Sequence, residues 1–398
     1  MIINYRKVSI LAKWYFSSTF LLFLGNWVGQ IALNWYAFQI NHQAIDLAFI
    51  NFFRLIPIFL LSLWAGSLAD RYRRCKLIKL SVFCSFVITS TLTILVLVLG
   101  EVPMMLLYVY ALLRGSLSAI ETPIRQAVLP DLSHKLPVSK AVSYNSFILN
   151  ICRSIGPAIS GFLIALYGSA FAFILQALLY FCSLLLSLPL YFKSKQQKRV
   201  RGISFAVAKR YLKIHIEGRT IFITSLLIMA TGFSYTTLLP ILTNAHFPNN
   251  ASVFGTAMTI SAIGGVVATL VLPYLIDYVH NQRIYFISSI CFGVGLIIIF
   301  KANIIGLFIA IFFIGLFGQF ARTSNRIFFQ NDAEKEHRGK ILSVIMMDRG
   351  MIPLGAMLMS LLTNWLGITT TFLIMGISTF VIAIVGYIIN QKYVGGQI

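Results

Sequence analysis

The sequence predicts an all-α integral membrane protein with twelve transmembrane helices, arranged as two pseudo-symmetric six-helix bundles. Three observations carry that expectation. Of the 398 residues, 58% are hydrophobic and only 11% charged, and mean hydropathy is +0.85, whereas soluble domains carry about 25% charged residues. Twelve apolar runs divide the chain. The first six and the last six repeat one another around the longest polar loop.

A helix needs roughly 20 mostly apolar residues to cross a bilayer. The runs fall at 13–40, 46–66, 77–99, 104–124, 139–166, 170–191, 220–243, 252–276, 284–300, 304–325, 340–366 and 370–390. They consume most of the chain and leave no room for a soluble domain. The first run has basic flanks but no small-residue cleavage site, so it is expected to be a retained helix.

The net charge of +21 could point to nucleic acid, but its distribution argues against it. Of 32 Lys and Arg residues, only Lys301 falls in an outward loop. Five more (Arg54, Arg114, Arg153, Arg322 and Arg349) lie inside runs, while Lys13, Lys79, Lys140 and Lys340 stand at the cytoplasmic edges of theirs. The remainder sit at the N-terminus, in the even-numbered loops and in the C-terminal tail. This is the positive-inside bias. It predicts a multi-pass protein of the cell inner membrane with both termini cytoplasmic, surrounded by lipid and without a nucleic-acid partner. The five cysteines lie in spans or at the cytoplasmic surface and form no C-x-x-C or Cys/His cluster. No disulfide framework, metal or cofactor is expected.

Three domains follow: residues 1–192 as the N-terminal bundle, 193–219 as a cytoplasmic linker, and 220–398 as the C-terminal bundle. In the linker, Ile203 to Ile216 mixes apolar residues with Lys209, Arg210 and Lys213. That pattern suits an amphipathic helix lying in the inner interface. The halves align at several places. Glu121-Thr-Pro-Ile-Arg125, with Asp131 beyond it, matches Arg322-Thr-Ser-Asn-Arg326 and Asp332. Arg153-Ser-Ile-Gly-Pro157 matches Arg349-Gly-Met-Ile-Pro353, and Gly66-x-x-x-Asp70 has a weaker echo in Pro273-x-x-x-Asp277. A two-fold repeat of this kind places a central site near the midplane, between two bundles that rock.

Between runs 2 and 3 stands the charged box Gly66-Ser67-Leu68-Ala69-Asp70-Arg71-Tyr72-Arg73-Arg74-Cys75-Lys76. Its glycine lets two helix ends approach. Its acid can pair locally or cap a helix N-terminus, and its basic cluster is expected among anionic lipid headgroups. The order G-x-x-x-D-R-x-x-R resembles the loop between helices 2 and 3 of the major facilitator superfamily, matched here by Gly66, Leu68, Ala69, Asp70, Arg71 and Arg74. Arg114-Gly115 is similar to that family's helix-4 arginine motif. Glu121 through Leu132 resembles the segment after helix 4 in its siderophore and macrolide exporters. Ser143 through Gly161 is similar to the helix-5 antiporter motif. It retains Gly156-Pro157-Ala158-Ile159-Ser160-Gly161, with Ser143 and Cys152 in place of the upstream glycines. Arg338-Gly339 and Pro353-Leu354-Gly355 resemble the same subgroup's start of helix 11.

The resemblance implies a monomeric secondary transporter working by alternating access, with a proton as coupling ion. Gly66, Asp70, Arg71, Arg74, Gly156, Pro157 and Arg322 are its expected conformational switch. The residues themselves speak to the substrate. Arg54, Arg114, Arg153 and Arg349 fall near the middle of runs 2, 4, 5 and 11. A charge at a helix centre costs roughly 2.5–3.5 kcal/mol even on lenient scales, so such residues face a cavity or a partner. Against them the spans offer Glu121 and Asp348, with Asp46 at an outer edge. Asp348 could neutralise Arg153 or Arg349, and Glu121 could meet Arg322 or Arg326 at the inner gate. A surplus of arginine remains, which favours an anionic small molecule because guanidinium pairs bidentately with carboxylate. Asn26, Gln30 and Asn34 recur every four residues on one face of run 1. They form either a wall of the substrate path or interhelical hydrogen bonds. Thr231, Ser234, Tyr235 and Thr237 hold the comparable place in run 7.

No histidine lies deep in a run, and no H-E-x-x-H, G-x-S-x-G or Walker A loop occurs. An enzyme is not expected. The sequence reading is an exporter of an anionic, siderophore-like compound with proton antiport, in which Asp348 and Glu121 carry the proton. The alternatives are a multidrug or macrolide efflux transporter, and a lysophospholipid or lipid flippase on the same scaffold.

Overall fold

In the computed structural model the described residues are 10–71, 73–132, 138–191, 205–248, 251–299, 303–332 and 350–394, with 341, 344, 345 and 348 between the last two stretches. Every regular element among them is helical. The first six membrane helices are α1 (Ile10–Asn41), α2 (Ala44–Arg71), α3 (Arg74–Leu99), α4 (Met104–Val128), α5 (Val138–Tyr167) and α6 (Ser169–Ser187). A short helix, α7 (Phe205–Ile214), occupies the linker. The second set comprises α8 (Ile216–Thr231), α9 (Tyr235–His246), α10 (Ala251–Ile276), α11 (Asn281–Ile298), α12 (Ile304–Asp332), α13 (Met351–Leu366) and α14 (Ile368–Val394). With α8 and α9 counted as one crossing, these make twelve membrane helices among the described residues. Ten segments are long and apolar enough to span a bilayer without further argument.

Two compact units result, one of Met1–Asn41 with Ile50–Val200, the other of His42–Phe49 with Arg201–Ile398. Within the first, α1 packs on α5 and α6, while α3 packs on α4 and α6. Within the second, α8 packs on α13 and α14, while α11 packs on α12 and α14. The same neighbour relations thus occur in both units. Side chains such as Leu80, Val98, Phe162, Leu178, Leu270 and Leu358 remain exposed. On a soluble protein so much apolar surface would be a liability; in a bilayer it is the lipid-facing side.

Two glycine devices show the repeat in atomic detail. Gly168 ends α5 at φ +84° and Gly367 ends α13 at φ +80°, a left-handed conformation that only glycine adopts without strain. The two are 199 positions apart. At mid-helix, a Cβ on Gly115 of α4 would run into the Arg54 carbonyl of α2, and one on Gly315 of α12 would run into the Ser261 carbonyl of α10. Backbones that approach this closely exclude any larger residue.

The structure corrects two sequence expectations. Run 220–243 is not one helix but α8 and α9, separated by a turn at Gly232–Ser234. There the Phe233 N–H reaches back to the Ile228 carbonyl at 3.2 Å, a five-residue step. The Ser234 hydroxyl donates to the carbonyls of Ala230 (2.7 Å) and Ile352 (3.1 Å). Hydropathy does not register such a break, because the interrupted backbone is satisfied inside the protein. Run 11 is not one continuous helix either: residues 341, 344 and 345 are helical, Asp348 lies in a 3-10 turn, and α13 begins at Met351.

Candidate substrate and coupling site

In the first unit, α1, α3, α4 and α6 bring a buried polar network together around Arg114. Its Nη1 donates to Ser85 Oγ at 3.0 Å, and its Nη2 to Tyr180 Oη at 2.9 Å and to Asn26 Oδ1. Glu121 Oε2 stands 3.7 Å away, and Ser85 donates to Glu121 Oε1 at 2.6 Å. The chain continues from Tyr180 to Gln176 (3.1 Å), from Gln176 to Tyr110 (3.3 Å) and on to Thr89 (3.2 Å). The arginine plane also lies over the Tyr180 ring, 5.0 Å from its centroid. Helical spacing explains the convergence. Glu121 is two turns from Arg114 on α4, and Gln176, Tyr180, Ser183 and Ser187 form the buried stripe of α6.

Two more arginines join this unit. Arg54 lies within electrostatic reach of Arg114, Tyr180 and Tyr110, and its buried Nη1 has no partner among the described residues. Arg125 is 2% exposed. Its guanidinium donates to Thr19 Oγ1 (2.7 Å) and Ser18 Oγ (3.2 Å), and its carbonyl accepts from Tyr15 Oη at 2.5 Å. Three guanidinium groups, of Arg54, Arg114 and Arg125, therefore gather near one carboxylate, Glu121; Asp46, the other buried carboxylate among the described residues of these helices, lies in the first turn of α2.

The second unit holds a comparable cluster. Ser225 of α8 donates to Asp348 Oδ2 at 2.8 Å, and Asn325 of α12 donates to Ser225 Oγ at 2.8 Å and to Asp348 Oδ2 at 3.5 Å. Arg322 and Arg326 both lie within electrostatic reach of Asp348. Arg322 donates to Gln319 Oε1 at 3.2 Å and lies over the Phe233 ring at 4.7 Å. The turn between α8 and α9 sets Phe233 in place, stacked on Phe292 with centroids 4.6 Å apart.

The expected site residues divide accordingly. Asn26, Arg54, Arg114 and Glu121 come together, as do Asp348 and Arg322. Asn34 instead accepts from Asn51 of α2 at 3.1 Å, an interhelical bond between two buried amides. Gln30 is half-buried, and Arg153 donates to Asn150 of its own helix at 2.7 Å. Ser225 and Asn325 hold the Asp348 carboxylate. Gly156 is buried against Trp27, and Pro157 lies half-buried within α5. Arg74 departs from expectation: it is 5% exposed and donates to the Ala127 carbonyl of α4 at 2.7 Å, so it faces protein rather than headgroups. Gly66, Asp70 and Arg71 belong to α2, but their side chains and surroundings lie outside the described residues, as does Arg349.

Sequence reasoning missed Arg125, Ser85, Gln176, Tyr180, Ser225, Asn325 and Phe233 as site residues. A signal existed for some of them. Ser81, Ser85, Thr89 and Thr93 recur every four residues in run 3, and the α6 stripe has a similar period. Neutral polar residues at helical spacing inside a span mark a buried polar face.

Two repeated helical units, with arginines inside the corresponding helices α4 and α12, define a transporter of the major facilitator superfamily. A family model described as MFS_3, transmembrane secretion effector, matches residues 9–394, and the chain belongs to that family. It is 53% identical over 384 residues to the Staphyloferrin A transporter of Staphylococcus aureus (strain NCTC 8325 / PS 47), covering 96% of this chain and 97% of that one. It is 23% identical to the Multidrug efflux pump Tap of Mycolicibacterium fortuitum, with 91% of each covered. Among solved structures, the nucleoside transporter NupG matches with TM-score 0.76 at 16% identity, covering 96% of this chain and 99% of that one. An inward-facing bacterial homologue of the human lysosomal transporter Spinster matches with TM-score 0.74 at 11% identity, covering 97% and 98%. At such identities the likeness establishes the fold. The protein is a multi-pass membrane transporter and not an enzyme.

Proposed function

We propose that this protein exports an anionic, siderophore-like polycarboxylate across the cell inner membrane by alternating access, in exchange for protons. The observation that carries the anionic substrate is the surplus of buried guanidinium in the first unit, Arg54 above all. A buried N–H without a partner is costly, and a carboxylate oxygen is the group that best relieves it. The relationship to the Staphyloferrin A transporter, over nearly the whole of both chains, supports the siderophore class. Membership of a family of transmembrane secretion effectors supports export. Asp348 and Glu121 are the carboxylates buried in the two clusters, which makes them the candidate proton carriers. Termini on the cytoplasmic side, a monomer and a lipid surround complete this reading.

The test compares culture supernatants of iron-starved cells with and without the protein. An iron-binding polycarboxylate that disappears with the protein supports the reading. Its accumulation outside in both strains would refute it. The relationship to Tap keeps one second reading, multidrug efflux, which the same cells test through their sensitivity to lipophilic cations.

A further inference from the structure

The three amides of α1 that share one face in the sequence part ways in the structure. Asn34 is buried and bonded to Asn51. Asn26 and Gln30 are half-buried, in the middle of the helix Ile10–Asn41. Two other sides of α1 are covered at this level. Gly25 and Gly29 lie so close to α6 that a Cβ on either would collide with Tyr180 or Gln176, and Trp27 packs on Gly156 of α5. At 3.6 residues per turn, positions 26 and 30 share a third side. Asn26 has its oxygen engaged there: Oδ1 accepts from Arg114 Nη2 and, at 2.8 Å, from Tyr180 Oη. The Tyr180 hydroxyl itself accepts from Arg114 (2.9 Å) and Gln176 (3.1 Å), so its single hydrogen is the one that goes to Asn26. Two donors thus fix the amide, and Nδ2 is left with no partner among the described residues. Gln30 has a partner on neither amide atom among them.

Unpartnered amides at mid-span are strongly disfavoured against hydrocarbon, so this side of α1 meets water or a polar ligand. We infer that Asn26 and Gln30 line the substrate path, and that Asn26 reads an uncharged oxygen of the substrate through its Nδ2 donor. The fold commits Asn26 to donating. With Oδ1 held by two donors, a ligand hydroxyl or ammonium hydrogen finds no acceptor on this residue, whereas a carbonyl or amide oxygen finds an N–H. Arg54 lies within electrostatic reach of Arg114 and Tyr180, the same two groups that hold Asn26. A charged donor and a neutral donor therefore belong to one polar cluster, the first suited to a carboxylate and the second to an uncharged oxygen of the same compound. That this compound is the exported one rests on the function proposed above; the polar wall does not.

Cysteine labelling of the full-length protein in vesicles tests the wall, with a charged methanethiosulfonate on both sides of the membrane. Gln30→Cys should react several-fold faster than Asn34→Cys, above the background of the five native cysteines. Equal rates overturn the wall. Asn26→Asp tests the donor, because it keeps an oxygen for Arg114 and Tyr180 and replaces Nδ2 by a second oxygen. Its unfolding temperature should match or exceed that of the wild type, since the new carboxylate stands against Arg114. Its affinity for the fully esterified, neutral derivative of the polycarboxylate from the supernatants should fall roughly threefold to tenfold, the worth of a neutral hydrogen bond. A residue that only braced Arg114 would leave ester binding unchanged, and that result overturns the donor role, as does a wild type that binds the acid but not the ester. A wild type that binds ester as tightly as acid refutes the anionic reading instead and leaves this one standing. One that binds neither refutes the proposed function and the substrate contact with it, and the labelling alone then decides the wall.

Discussion

Glu121 and Arg114 lie seven residues apart on α4, 3.7 Å from oxygen to nitrogen, and the Ser85 hydroxyl bridges them by accepting from one and donating to the other. The pair is buried, at 1% and 4% exposure. Removing one partner of a buried ion pair leaves the other uncompensated and costs about 3–5 kcal/mol. Glu121→Gln should therefore lower the thermal unfolding temperature in detergent markedly, and Ser85→Ala less. Glu121→Gln combined with Arg114→Gln should recover part of the loss. A double variant as unstable as the sum of the singles would show that the two residues do not compensate one another.

The close helix approaches make a paired prediction. Gly115→Ala and Gly315→Ala each force a methyl against a backbone carbonyl of the neighbouring helix, and carbonyls do not move aside as side-chain tips do. Both should reduce folded yield, and each should cost about 1–3 kcal/mol of stability, the usual range for overpacking. Gly265→Ala, whose new Cβ meets nothing nearer than 3.9 Å, is the harmless control. Fluorescence-detected size exclusion with a heating step separates them.

The linker helix is held by one face. Tyr211 donates to the Asp332 carboxylate at the end of α12, stacks on His215 with centroids 4.6 Å apart, and meets Phe329 edge-on. Lys209, Arg210 and Lys213 stay exposed. Burial, and next the Asp332 carboxylate, push the Tyr211 phenol up from 10.0. Folding therefore favours its protonated form, and the stabilisation is fully present below about pH 10 and falls as pH rises beyond it. Tyr211→Phe should speed tryptic cleavage at Lys209, Arg210 and Lys213 at neutral pH, whereas the wild-type linker should loosen only in strong alkali. Equal cleavage rates would show that the contact does not hold the linker.

For coupling, Asp348→Asn keeps the shape and the hydrogen bond from Ser225 while removing the titrating group. In vesicles this variant should lose transport driven by a pH gradient yet retain exchange of internal for external substrate. Unchanged pH dependence would move the proton to Glu121 or elsewhere.

Much of the fold was legible because the bilayer imposes it. Run lengths, loop charges and the repeat of Glu121–Arg125 with Arg322–Arg326 were enough to expect a twelve-helix major facilitator protein. The charged members of the site were legible for the same reason, since an arginine inside a span has to be accounted for. The neutral ones were not. Tyr180, Gln176 and Asn325 look like packing residues until the neighbouring helix is placed. Arg125 falls just past the end of its run, and its burial shows only when Ser18, Thr19 and Tyr15 enclose it. The break between α8 and α9 was hidden because Phe233 is apolar and the turn is satisfied by side chains and carbonyls, one of them distant in sequence.

The central claim is that buried guanidinium selects an anion, and Arg54 is its sharpest point. The direct measurement is the affinity of wild type and Arg54→Gln for the polycarboxylate recovered from the supernatants, beside its fully esterified, neutral derivative. Loss of a charge-assisted hydrogen bond is worth about 1.5–3 kcal/mol, so the acid should bind roughly tenfold to a hundredfold more weakly to the variant. Binding of the ester should barely change. Equal losses for acid and ester, or tighter binding of lipophilic cations than of the acid by the wild-type protein, would contradict the account.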